Sequence, residues 1–172
     1  MAVTAGLLVA AAGAVGAMRA ATRLDRLHVR TGAAWAALDV ALCRRARAVK
    51  RLKGSAALRA AADAALLAGS EVALSAGAAV REEIENELGR VLAVLDRRRL
   101  APACAGRLAD AEQRVVIARR VYNDAVRDTL ALRSHRTVRW LRLAGTAAAP
   151  RYFEIVEPAL LNDGLELDGA GA

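Results

Sequence analysis

The sequence predicts an all-α protein, with an N-terminal membrane-anchor helix running into an antiparallel bundle of three to four long helices. Three observations carry that expectation. Alanine fills 44 of 172 positions, while Phe, Trp and Tyr together supply only 3%. Alanine is the strongest helix former, whereas strands favour aromatic and β-branched side chains. Apolar residues recur at three- and four-residue spacing rather than alternating. Proline occurs only three times, which leaves room for long uninterrupted helices. The same composition excludes an all-β fold, a disulfide scaffold and a disordered chain. The strand, Gly-rich turn and helix of a nucleotide-binding sheet do not occur.

The chain divides into three parts. Residues 1–18 form the expected anchor. Positions 2–18, AVTAGLLVAAAGAVGAM, carry no charge. As a helix they span roughly 25 Å, somewhat short of a ~30 Å hydrocarbon core. Arg19, Arg23, Arg26 and Arg30 follow, and no base precedes the run. That order argues against a cleaved signal peptide, and it places the N-terminus outside and the rest in the cytoplasm. The expectation is a single-pass protein of the cell membrane. The same run also allows a buried core helix.

Residues 19–144 form the helical body. Leu24, Trp35, Leu38, Leu42, Val49 and Leu52 keep helical spacing up to Gly54-Ser55, so the first helix continues the anchor. A second helix covers 56–96, with Gly69-Ser70 and Gly77 as points of bending or splitting. Its stripe includes Leu58, Ala62, Ala65, Val80, Ile84 and Leu88, with Glu82, Glu83, Glu85 and Glu87 on a polar face. Arg97, Arg98 and Arg99 suit a helix C-terminus and Pro102 a stop. The third helix is the most regular. Cys104, Leu108, Ala111, Val115, Ala118, Tyr122, Ala125, Thr129 and Leu132 step by four and three, with Glu112 and Asp124 on polar faces. A short helix is expected over 138–143. Residues 145–172 are a linker and an acidic tail.

Formal net charge is +8, from 26 bases and 18 acids. Residues 19–60 hold eleven bases against Asp25 and Asp39, whereas residues 154–172 carry five carboxylates and no base. Such a basic body suits an anionic membrane surface or nucleic acid. Five aromatic residues are few for stacking bases, and the bases form no single stripe, so the membrane is preferred over nucleic acid. A soluble basic helical protein that binds nucleic acid is the alternative. The Asp25-x-x-His28 unit lacks the second unit and further carboxylates of a di-metal site. Cys43 and Cys104 read as small apolar helix residues. Phosphate-loop, nucleophile-elbow and zinc-helix motifs do not occur. No metal, cofactor or enzymatic activity is therefore expected.

Two blocks carry a resemblance: RLDRLHVRTGAAWAALDVALCRRARAV at 23–49, and AEQRVVIARRVYNDAVRD at 111–128, followed by PRYFE at 150–154. Together they resemble the LemA family of bacterial proteins, which have an N-terminal membrane segment followed by a helical bundle. The resemblance singles out Trp35, Asp39, Arg44, Arg45, Arg119, Arg120, Tyr122, Asn123 and Asp124. Thr129-Leu130, Lys50-Arg51 and Gly145-Thr146 depart from the family pattern and mark a divergent member. The family implies no established enzymatic activity. Tyr122 lies on the apolar stripe, and Asn123 and Asp124 are placed to bond a neighbouring helix, so the motif reads as an inter-helix clamp. The expected function is a membrane-tethered scaffold or adaptor that binds other membrane-associated proteins or itself.

Overall fold

The computed structural model describes residues 2–52, 54–71, 78–145 and 148–155, without the side chains of residues 2, 3, 5–10, 70, 71 and 78. The protein is all-α. Helix α1 runs from Ala2 to Lys50, α2 from Ala56 to Glu71, α3 from Ala78 to Ala93, α4 from Pro102 to Ser134 and α5 from Arg136 to Trp140. Helix α1 is unbroken because Ala and Leu dominate it and proline is absent. Gly32 does not interrupt it, and a Cβ there would meet nothing. Arg47 and Lys50 in its last turn complement the negative end of the helix dipole.

The expected helix over 56–96 is two helices, α2 and α3, packed against each other. The Ser55 hydroxyl caps α2 by accepting from the Leu58 amide at 3.2 Å. After α3, the Asp96 side chain accepts from the Arg98 amide and starts a 3₁₀ turn over Arg97–Arg99. Pro102 opens α4 rather than stopping α3, because its missing N–H costs nothing at the first helical position.

Helix α1 is the shared partner of α2, α4 and α5. Arg30 meets Asp128 and Trp35 meets Tyr122, so α4 runs back along α1 in the opposite direction. Along this seam, Trp35, Leu38 and Leu42 pack with Val115, Tyr122 and Val126. Further along, Val49 and Leu52 pack with Leu58 of α2, Leu88 and Leu92 of α3 and Leu108 of α4. Thr31 and Thr129 share a buried hydroxyl contact at 3.0 Å across the first cluster. Each hydroxyl also bonds a carbonyl one turn back, so neither is stranded.

Among the described side chains Leu24 is the first buried one; none of residues 11–23 is buried, and Met18 is 73% exposed. Among the described residues no helix is long and apolar enough to cross a membrane. The side chains of Leu7, Leu8 and Val9 in the expected anchor lie outside those residues.

Helix α5 ends in a tight reversal. The Leu143 amide donates to the Val138 carbonyl and the Arg142 amide to that of Arg139, with Arg142 at φ 49°. This is a Schellman closure with arginine where glycine is usual. A side chain in the left-handed region costs about 1–2 kcal/mol. Arg142 is exposed, so Arg142→Gly should raise stability by about 1 kcal/mol in urea unfolding.

Candidate functional site

Two neighbouring clusters on α1 account for most of the motif residues. The first is aromatic. The Trp35 ring lies 5.3 Å from Tyr122 and 5.6 Å from Phe153, both edge-to-face. Phe153 is fully buried although it belongs to no helix. Its backbone is held by one side chain: the Asn123 amide oxygen accepts from the Phe153 N–H at 2.9 Å, and its nitrogen donates to the Phe153 carbonyl at 3.2 Å. The Tyr122 hydroxyl donates to the Arg151 carbonyl at 2.9 Å. One residue further, the Glu154 amide donates to Glu82 of α3 at 2.8 Å, and the Glu154 carboxylate lies 3.6 Å from Arg119.

The clamp therefore grips residues 151–154 rather than a neighbouring helix. Asn123 has the two groups needed to pair with an extended backbone, which is why Asn, and not a hydrophobe, serves there. Asp124 takes no part. It is exposed and pairs with Arg127 at 3.1 Å. Of the acidic tail only Glu154 and Ile155 are described; residues 156–172 lie outside the described residues. Burial, reinforced by the nearby Glu82 charge, pushes the Tyr122 phenol above its ordinary value of 10.0.

The second cluster is ionic and begins one turn further along α1. Arg45 donates to Glu85 of α3 at 2.6 Å, and both side chains are almost fully buried. Arg81, also buried, approaches the second Glu85 oxygen at 3.0 Å and Asp39 at 3.2 Å. It further donates to the Ala65 carbonyl of α2 at 2.8 Å and lies 3.8 Å from the Cys43 sulfur. Two guanidinium groups and two carboxylates thus tie α1, α2 and α3 together with their charges balanced. Gly69 is required here, since a Cβ would come within 2.5 Å of the Cys43 sulfur. A groove of about 440 Å³ opens beside the cluster, lined by Asp39, Val40, Cys43, Arg47, Leu66 and Gly69.

These burials correct the expected polar faces. Glu85 is fully buried while Val80, expected inside, is 58% exposed. The inward line of α3 is Arg81, Glu85, Leu88 and Leu92: Leu88 is buried as the apolar stripe expects, while Arg81 and Glu85 stand one position beyond Val80 and Ile84. Glu112 is likewise buried, held by two bonds from Arg97 at 2.7 and 2.9 Å. The in-phase spacing of Arg81 and Glu85 with Leu88 and Leu92 is the signal that could have revealed them. Arg44 and Arg120 are exposed and join neither cluster.

Among the described residues no group of three or more His, Cys, Asp or Glu side chains could hold a metal ion. Comparison with protein-family models, with curated proteins and with solved structures finds no match.

Removing one member of a buried charge pair strands the other, at a cost of about 3–5 kcal/mol. Glu85→Ala should lose about that much in denaturant unfolding, and adding Arg45→Met should recover part of it. Asn123→Ala removes both bonds to Phe153. Amide exchange at Phe153 should accelerate, with about 1–3 kcal/mol less protection, while α2 and α3 keep theirs.

Proposed function

We propose that the chain is a membrane-tethered helical scaffold and a divergent relative of the LemA family, working by holding partners rather than by chemistry. In this reading residues 1–18 anchor an antiparallel bundle of three to four long helices on the cytoplasmic face. The partners are other membrane-associated proteins or further copies of the chain.

The observation that supports the tether is the course of α1. One helix of 49 residues carries both the apolar run and the spine of the folded body, and its residues 11–23 remain unburied. A rigid continuous helix transmits the position of the body directly to whatever holds its N-terminal part. Four arginines follow the run within twelve residues, with only Asp25 among them, which favours the cytoplasmic side for the body. The scaffold reading is supported by the way the motif side chains are used. Trp35, Asp39, Arg45, Tyr122 and Asn123 are occupied in holding helices and the 151–154 segment together. A shallow apolar groove of about 400 Å³ between α1 and α4, lined in part by Val40, Ile117 and Val121, offers a surface for a partner.

Cell fractionation with a C-terminal tag tests the tether. The tag should stay with membranes through alkaline extraction and be shielded from protease in intact protoplasts. A tag recovered in the soluble fraction would overturn the tether and bring nucleic-acid binding forward.

A further inference from the structure

The end of the body from which α1 projects differs from the rest of the surface. Helix α4 ends at Ser134 near the turn of α1 where burial begins, and α5 packs against both helices there. Val138 is the buried residue of α5. Trp140, by contrast, is 85% exposed, Leu141 is 42% exposed, and Arg136, Arg139 and Arg142 all face solvent. Between Asp128 and Glu154 the sequence holds Arg133, Arg136, Arg139, Arg142 and Arg151 and no carboxylate. On α1, Arg19, Arg23, Arg26 and Arg30 follow the apolar run, with Asp25 as the acid on that stretch, and Arg23 and Arg30 come close to His135 at the start of α5. Between the two helices lies a groove of about 340 Å³ lined by Arg23, Leu27, Arg30, Asp128, Leu132 and His135. Asp128 within it is already paired with Arg30 at 2.9 Å.

An exposed indole beside an exposed leucine, ringed by arginines, suits a bilayer interface. Indole settles at headgroup level, and guanidinium groups bind phosphate oxygens in paired hydrogen bonds. Distance agrees with this. Six residues separate Met18 from Leu24, about 9 Å of helix. That is a little more than the ~5–8 Å depth of one headgroup layer, which sets the first buried turn at its outer edge. The reversal after α5 also keeps arginine at a left-handed position where glycine would fit with less strain.

We propose that α5 and the turn that follows it form a second membrane contact, made with an anionic bilayer surface. Trp140 and Leu141 enter the interfacial layer, and Arg136, Arg139 and Arg142 hold lipid phosphates. This inference rests on the tethered reading given above and adds a lipid preference to it, because the arginines discriminate anionic from zwitterionic headgroups.

The full chain is reconstituted in vesicles of phosphatidylcholine, with or without phosphatidylglycerol, and followed by flotation and tryptophan emission. Trp35 is buried and Trp140 is not, so the difference between the chain and Trp140→Phe isolates the signal of Trp140. With phosphatidylglycerol that signal should shift to the blue and become quenched by lipids brominated near the headgroup. The triple change Arg136→Gln, Arg139→Gln and Arg142→Gln should reduce the contact roughly a hundredfold without preventing flotation. Arg142→Gly alone, which relieves the backbone, should weaken the contact while leaving the fold intact by circular dichroism. If the protein floats but Trp140 stays open to iodide in both vesicles, the second contact is overturned and the tether stands. Failure to float on either vesicle overturns both. A Trp140 shift produced by RNA and not by anionic vesicles would overturn the lipid assignment.

Discussion

The fold depends on one constraint: a single unbroken helix must serve several different partners along its length. Helix α1 meets α4 and the 151–154 segment around Trp35, and α2 and α3 around Arg45 and Val49. Alanine makes this workable. Ala34, Ala41 and Ala46 on α1 and Ala111 and Ala125 on α4 are buried, and small side chains let backbones approach closely. Alanine also buries little apolar area, so each contact contributes little on its own. The larger side chains are therefore concentrated. Three of the five aromatic residues, Trp35, Tyr122 and Phe153, meet at one point on the seam.

The buried ion cluster follows from the same shortage of large apolar groups. An arginine pair and two carboxylates fill space between α1, α2 and α3 that leucines could fill. Replacing such charges by hydrophobes is often neutral or better for stability, so stability alone does not account for them. They do impose register. Glu85 reaches both Arg45 and Arg81, and Arg81 reaches Asp39 and the Ala65 carbonyl. Sliding α3 by one turn would leave buried charges without partners. Alanine-rich helices, whose faces resemble one another at every turn, need such a pin more than most.

This division explains what the sequence could and could not reveal. The helices were legible because periodic apolar residues dominate them; the stripe of α4 from Leu108 to Thr129 is buried nearly as written. The continuity of α1 was legible because nothing in it breaks a helix. The inward charges were not, since a carboxylate in phase with leucines scores as surface unless its partner on another helix is known. Glu85 and Glu112 were read as polar faces for that reason. The grip on 151–154 was half legible. The Tyr-Asn pair signalled a clamp, but an Asn side chain pairs equally well with a helix end or an extended strap, and the partner lay thirty residues away.

The distribution of charge separates folding from any role at a surface. Two arginines of α4 pair within a turn of the same helix, Arg114 with Asp110 and Arg127 with Asp124. Exposed pairs of this kind contribute about 0–1 kcal/mol each and leave the net field of that face small. At the end where α1 projects, Asp25 is the one carboxylate on residues 19–38 and none lies between Asp128 and Glu154 in the sequence, so the positive charge of these two stretches is left largely uncancelled. Folding gains nothing from that accumulation, because like charges brought together on a surface repel. A chain that buries balanced charges inside and gathers an unbalanced excess at one end separates two tasks. The interior charges fix the register of the helices, and the excess leaves a positive field at the end of the body.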